Sequence, residues 1–232
     1  MADEEKIKQD WDIYWADKDK KNKSNTWYDF IATIYRKLIL KNILNHFIRK
    51  YFPKGLKVLH AGCGSGQVDV GLVDYLNITA IDISSNALKI YKRIHGEKCE
   101  IIQGDIFHLP FPNESFDGLY NLGVMEHFTQ DEINLILVEF KRVLKPTGKM
   151  IIFWPPTYGL TVFILDSIHF ILNNIFRINV KLHPDEITRL RSKKHGINTF
   201  KEAGFYVAEC YFGIRDMYTQ VVIIGEKKEI LV

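Results

Sequence analysis

From Leu56 onward, short apolar runs alternate with stretches in which apolar residues recur every three or four positions. The first rhythm is that of buried strands and the second that of helices packed on one face, so their alternation predicts βαβ units feeding a parallel sheet. Strands are expected at Leu56–Ala61, Ile78–Ile83, Cys99–Gln103, Phe116–Leu122 and Lys149–Trp154. Helices are expected at Val68–Tyr75, Asn86–His95 and Asp131–Leu144. The last two apolar runs, Phe205–Phe212 and Gln220–Gly225, are joined by a short connection and read as an antiparallel pair at the sheet edge.

The flanks follow other patterns. Residues 1–24 are polar and rich in lysine, yet Trp11, Tyr14 and Trp15 recur at helical spacing, so part of this arm is expected to dock on an apolar surface. Asn25 can cap the amphipathic helix, or pair of helices, that the apolar positions between Thr26 and Tyr51 predict, and Pro53, Lys54 and Gly55 close it. After Pro155 and Pro156 the strand rhythm breaks for about 40 residues, longer than the usual connections of such folds. In this stretch Phe163 to Ile171 suggests an apolar helix, Pro184 followed by Asp185 and Glu186 marks a new helix start, and Gly204 ends the helical region. The expected organisation is a helical arm or lid over 1–52 and one domain over 53–232 with an insertion at 155–196.

Composition narrows the classes. A net charge of +3 is too slight to indicate a nucleic-acid binder, and the basic clusters around Lys18–Lys23 and Arg189–Lys194 read as solvated faces. Cys63, Cys99 and Cys210 form no CxxC pair, so neither a disulfide framework nor a metal site is expected, and the acidic start of the chain is unlike a secretory signal. The most apolar stretch, Leu160 to Ile178, is interrupted by Asp166, His169, two asparagines and Arg177. That excludes a spanning helix there and leaves peripheral membrane contact open. A cytoplasmic location is expected; the oligomeric state is left open.

Chemistry concentrates at the strand ends. The first strand runs into Gly62, Gly64 and Gly66 before a helix, in VLHAGCGSG; glycines permit a sharp turn and the close approach of a ligand to backbone. Asp82 closes the second strand, where a carboxylate can accept from both hydroxyls of a ribose; Ser84 or Ser85 can start the next helix, so Asp82 is not needed as its cap. After the third strand, in IIQGDI, Asp105 can accept from an exocyclic amine and Ile106 can face a purine, the alternative being a simple turn aspartate. The fourth strand places Asn121, Leu122, Glu126 and His127 at the same edge, in SFDGLYNLGVMEHF. Open α/β sheets bind ligands in this position.

With these four ordered motifs the chain resembles the class I methyltransferases, in particular the broad group of small-molecule and quinone-pathway enzymes. The resemblance covers Leu56 to Trp154, and more weakly the turn at Ala203–Phe205 and the terminal strands. It implies a Rossmann-like, mostly parallel seven-stranded α/β sheet with an antiparallel C-terminal strand pair and helices on both faces. It also implies S-adenosyl-L-methionine as cofactor. Ala61, Gly62, Cys63 and Gly64 would line its methionine part, Asp82 would hold its ribose, Asp105 and Ile106 its adenine, and Asn121 would flank the sulfonium region, with Gly66, Ile83 and Leu122 as further cofactor-binding residues. His60 stands where the family commonly has an acidic residue near the cofactor's ammonium end, so weaker binding at acidic pH is expected unless His60 is a structural residue.

The implied reaction is in-line methyl transfer to a small-molecule acceptor; the apolar insertion suits a hydrophobic or membrane-surface acceptor or, equally, cover for a sheet edge. His127 is the candidate base, with loop orientation or helix capping as its other reading. Trp11, Trp15, Trp27, Tyr28 and Trp154 are candidate walls of the acceptor pocket, with core packing as the plain alternative. Two other readings share the glycine turn and ribose acid: a nicotinamide-dependent oxidoreductase and a non-catalytic cofactor-binding protein. The G-x-G-x-G spacing and the GDI element weigh against the first.

Overall fold

The computed structural model describes residues 4–21, 35–160 and 186–227. Seven strands form one sheet: β1 (Lys57–Ala61), β2 (Asn77–Asp82), β3 (Glu100–Gln103), β4 (Phe116–Leu122), β5 (Leu144–Trp154), β6 (Tyr206–Tyr211) and β7 (Val221–Glu226). Their order is β3-β2-β1-β4-β5-β7-β6; the first five run parallel, and β7 is antiparallel to both β5 and β6. The chain steps outward from β1 to β3 and then returns to place β4 on the other side of β1. This reversal opens a crevice at the carboxyl ends of β1 and β4.

Helices cover both faces. On one, α2 (Lys41–Tyr51) and α3 (Ser85–His95) bury Ile43, Leu44, Phe47, Leu88 and Tyr91 against Val58, Ala80 and Ile151. On the other, α4 (Gln130–Val143) and α5 (Lys193–Glu202) bury Ile133, Ile136, Leu137, Phe140 and Phe200 against Leu59, Leu119 and Ile152. Apolar residues alternate along the central strands to feed both cores, which is why these strands read as continuous apolar runs. Start signals act locally: Ser84 accepts from the Ala87 amide at the head of α3, and Thr129 and Glu132 form a reciprocal capping box on α4. A further helix, α1 (Glu4–Lys21), packs against α3. Among the described residues no helix is long and apolar enough to cross a membrane.

Two expected helices differ. In place of a helix over 68–75 there is a single 3-10 turn, Gln67–Asp69, followed by turns to Leu76. Gly71 at φ +88° leaves the helical region, and the Asp69 side chain is drawn into the core. Residues 186–192 are not the start of a helix: they form an extended strap whose Ile187 and Thr188 amides donate to the Glu126 carbonyl and whose Leu190 amide donates to Pro155. With those N–H groups committed, the helix begins at Lys193, capped by the Ser192 hydroxyl. The apolar helix expected near Phe163–Ile171, and the Asn25 cap, lie outside the described residues.

Candidate active site

A cavity of about 680 Å³ opens at the carboxyl ends of the parallel strands. The loop after β1 forms its floor. Gly62, Gly64 and Gly66 all adopt positive φ, +68°, +52° and +66°. A Cβ on Gly62 would lie 2.7 Å from Val124 Cγ2, and one on Gly64 would lie 2.7 Å from Trp15 Cζ2, so only glycine lets these segments approach so closely. The loop amides, however, are turned inward: those of Gly62 and Cys63 donate to the Ile81 carbonyl, and that of Gly64 donates to Asp82 Oδ2 at 2.8 Å. What the loop offers a ligand is proximity, more than free N–H groups.

Asp82 ends β2 with Oδ1 accepting from the Ser84 amide at 2.9 Å, so each oxygen holds one backbone donor and keeps a lone pair for another. Burial raises its pKa above the ordinary carboxylate value against the pull of those two donors. Asp105 Oδ1 accepts from the Phe107 amide at 3.0 Å, shaping the turn after β3, and Ile83, Ile106 and Leu122 supply apolar wall. The Cys63 thiol is buried and pushed well above its usual range by desolvation, so it packs and does not act as a nucleophile.

Beneath the glycine loop lies a network that the sequence did not suggest. His60 Nδ1 is 2.7 Å from Asp69 Oδ2, the Tyr91 hydroxyl donates to the same oxygen at 2.6 Å, and the Tyr120 hydroxyl donates to Oδ1 at 2.8 Å. The His60 and Tyr120 rings stack at 4.2 Å. Burial opposes ionisation of Asp69, but the imidazole and the hydrogen bonds outweigh it and hold the carboxyl below its ordinary range. Asp69 thus sets a carboxylate beside His60 within the core, off the cavity wall.

The opposite wall is the Met125–His127 turn after β4 together with the strap. The His127 ring meets the edge of Trp11 at 5.0 Å. Glu126 is 6% exposed, its Oε2 has no hydrogen-bond partner, and burial pushes its pKa up to about 8. Gln67 Oε1 and Gln220 Oε1 are likewise buried without partners, and all three oxygens belong to residues of the cavity wall. Each of these oxygens is shielded from solvent and lacks a donor, an acceptor the fold itself leaves unsatisfied. Helix α1 closes the remaining side: Trp11 and Trp15 line the cavity, and Asp12 Oδ1 accepts from the Ser84 hydroxyl at 2.6 Å and the Asn86 amide at 3.3 Å.

Most of the expected site residues therefore meet at one cavity: Gly62, Cys63, Gly64, Gly66, Asp82 and Ile83, then Asp105, Ile106, Leu122 and His127, with Trp11 and Trp15. Asn121 does not line it; fully buried, it donates from Nδ2 to the Ala61 carbonyl at 2.6 Å and so braces the β1 turn from behind. Ala61 shares that buried place. Trp154 is also away from the wall, its indole N–H bonded to the Thr188 carbonyl at 2.8 Å, where it fixes the strap. Trp27 and Tyr28 lie outside the described residues. Sequence reasoning missed Asp69, Gln67 and Gln220 altogether and passed over Glu126 in favour of its neighbour. Among the described residues no group of three or more His, Cys, Asp or Glu side chains could hold a metal ion.

Strand order, glycine turn and carboxylates at successive strand ends define a Rossmann-like α/β domain built for a nucleoside-bearing ligand. Residues 59–152 match the family model described as a methyltransferase domain. A sterol 24-C-methyltransferase of Gibberella zeae is 30% identical over 161 residues, 65% of this chain and 40% of that protein. A chloroplastic 2-methyl-6-phytyl-1,4-hydroquinone methyltransferase of Oryza sativa subsp. japonica is 28% identical over 153 residues, 60% of this chain and 46% of that one. The chain thus spans less than half the length of these curated relatives. The fold is shared with magnesium protoporphyrin IX methyltransferase from Synechocystis, solved with bound S-adenosylhomocysteine, at a TM-score of 0.70 and 15% identity over 97% of this chain and 100% of the other. Over residues 59–152 the chain is thus similar to methyltransferase domains, and it shares the Rossmann-like fold of solved S-adenosylmethionine-dependent methyltransferases. Neither the nicotinamide-dependent reading nor the non-catalytic one finds support among these relatives.

Proposed function

We propose that the chain binds S-adenosylmethionine in the cavity at the strand ends and transfers its methyl group to a small, hydrophobic acceptor. The observation that carries this reading is the set of unpartnered buried acceptors, Gln67 Oε1, Glu126 Oε2 and Gln220 Oε1, around a cavity floored by Gly62 and Gly64. A sulfonium with an ammonium group is the cationic, donor-bearing ligand such a lining fits. Asp82 would hold the ribose, Asp105 and Ile106 the adenine, and the Gly62–Gly64 turn the methionine part, with Gln67 accepting from the ammonium. When bound, the cofactor supplies an activated methyl; the chain's task is to align the acceptor, exclude water and handle the acceptor's proton.

The hydrophobic acceptor is inferred from the relatives, whose names specify a sterol and a phytyl hydroquinone, and from the aromatic wall that Trp11 and Trp15 present. We read the 1–52 arm and the 155–196 insertion as the lid and acceptor wall, with Asp12 latching α1 to the head of α3. Free Cys63, Cys99 and Cys210 support a reducing, cytoplasmic setting, and no nucleic acid is invoked as substrate. Incubation with methyl-labelled cofactor and a mixed extract of sterols, prenyl quinols and fatty acids should place the label in the organic phase. Label confined to water-soluble products would contradict the hydrophobic acceptor.

A further inference from the structure

Glu126 is the described carboxylate least accounted for by the fold. It lies in the turn after β4 with 6% of its surface exposed and with Oε2 unpartnered. The turn is held firmly, because the Glu126 carbonyl accepts from the Ile187 amide at 2.6 Å and the Thr188 amide at 3.0 Å. Gly123 turns the chain beside the carboxyl at φ +67°, and a Cβ there would make ordinary contact with Glu126 Oε1 at 3.5 Å. The charged and titratable groups around it are Glu186 and Arg189 on the strap, which pair with each other, and His127 beside it; Asp82, Asp105, Glu132, Glu139, Arg36, His60 and His108 are on the cavity's other walls. No described side chain reaches Oε2 to satisfy it. The carboxyl accepts from its own backbone amide, and an Oε2 left buried without a partner costs stability unless something completes it.

We propose that Glu126 takes the proton that the methyl acceptor sheds, so that the acceptor is an uncharged O–H or C–H acid. This rests on the reading of the cavity as a sulfonium site. As the acceptor's electron pair forms the new bond to the methyl carbon, the methyl–sulfur bond breaks with its pair retained by sulfur, and the acceptor's proton passes to Glu126 Oε2. The cavity then begins with a cation and a carboxylate and ends with a thioether and a carboxylic acid, leaving no charge stranded. An amine attacks through a lone pair it already carries and needs no such group in that step.

The same balance makes the protonation of Glu126 depend on what the cavity contains. A bound cation favours the carboxylate and a neutral thioether does not, so S-adenosylmethionine should expel a proton that S-adenosylhomocysteine leaves in place. Calorimetric titration of the full chain in phosphate and in Tris, near about pH 7, reads protons released by each ligand. The ribose end is common to both ligands, and at about pH 7 the amino-acid end of each is held mainly as the ammonium, so Glu126 dominates the difference. About half a proton or more should separate the two ligands, and Glu126→Gln should erase that difference. A carboxyl carbon resonance of Glu126 in labelled wild-type protein should move to its ionised position with the first ligand alone, a readout that needs no variant. Equal proton release for the two ligands, or a difference that survives in Glu126→Gln, overturns the assignment. Absence of binding by both ligands overturns instead the cofactor reading on which it stands.

Discussion

Asp69 and Glu126 are two buried carboxyl groups, one beneath the glycine loop and one on the cavity wall, and the fold treats them in opposite ways. Asp69 is saturated by His60, Tyr91 and Tyr120 and is held ionised. Glu126 has a bare oxygen and is held largely neutral by burial. The network beneath the glycine loop is thus completed by the protein itself, whereas Glu126, like Gln67 on the cavity wall, keeps an acceptor without a partner. A buried polar group with all its partners acts as an anchor; one without them indicates where a ligand is expected.

The largest effect should come from breaking the anchor. Asp69→Ala strips three buried partners at once and should cost about 3–5 kcal/mol, lowering the midpoint of thermal unfolding by on the order of 10 °C. Because the Asp69 pKa lies below its ordinary value of 3.8, its contribution is present above that pH. It is lost as pH falls through the folded-state value, so the wild type should lose its margin over the variant in acid.

The bare carboxyl should show the reverse dependence with a smaller amplitude. Its pKa rises from 4.5 to about 8 on folding, so the stability it permits is full below pH 4.5 and is lost as pH rises toward 8. In denaturant titrations Glu126→Gln should match the wild type near pH 5 and exceed it by about 2–4 kcal/mol near pH 9. Equal differences at the two pH values would show that the Glu126 side chain is not held neutral in the folded state.

The smallest effect sharpens the comparison at its edge, where α1 crosses from one wall to the other. Asp12→Ala removes the acceptor for the Ser84 hydroxyl and the Asn86 amide and should cost about 1 kcal/mol, felt as looser docking of α1. Faster proteolysis within 4–21, with the sheet unaffected, would register it.

The sheet was legible because its strands are short, buried on both faces and bounded by turn residues; the structure starts β5 earlier, at Leu144, but keeps the expected alternation and the antiparallel edge. Gly62, Gly64, Asp82 and Asp105 were legible because each sits where a parallel strand ends, a place that topology alone brings to the crevice. Asp69 was not, since its spacing within Val68–Tyr75 suits an exposed helix position and only the left-handed Gly71 breaks that pattern. Nor could sequence separate Glu126 from His127. They are neighbours in one turn, and their roles differ through the strap at 186–190, whose sequence reads as a helix start but whose amides are spent on the Glu126 and Pro155 carbonyls. Trp154 misled for a related reason: an aromatic at a strand end can face the crevice or brace what lies beside it, and here it braces Thr188.

The central claim is that one cavity, floored by Gly62 and Gly64 and edged by Asp82, receives an adenosyl sulfonium compound. Titration of the folded chain with S-adenosylmethionine, followed by heat, tests it directly. A saturable single-site signal is expected in the wild type, weakened about 10- to 100-fold in Asp82→Ala by the loss of a charged hydrogen-bond partner. No saturable heat in the wild type, or an affinity indifferent to Asp82, would contradict it.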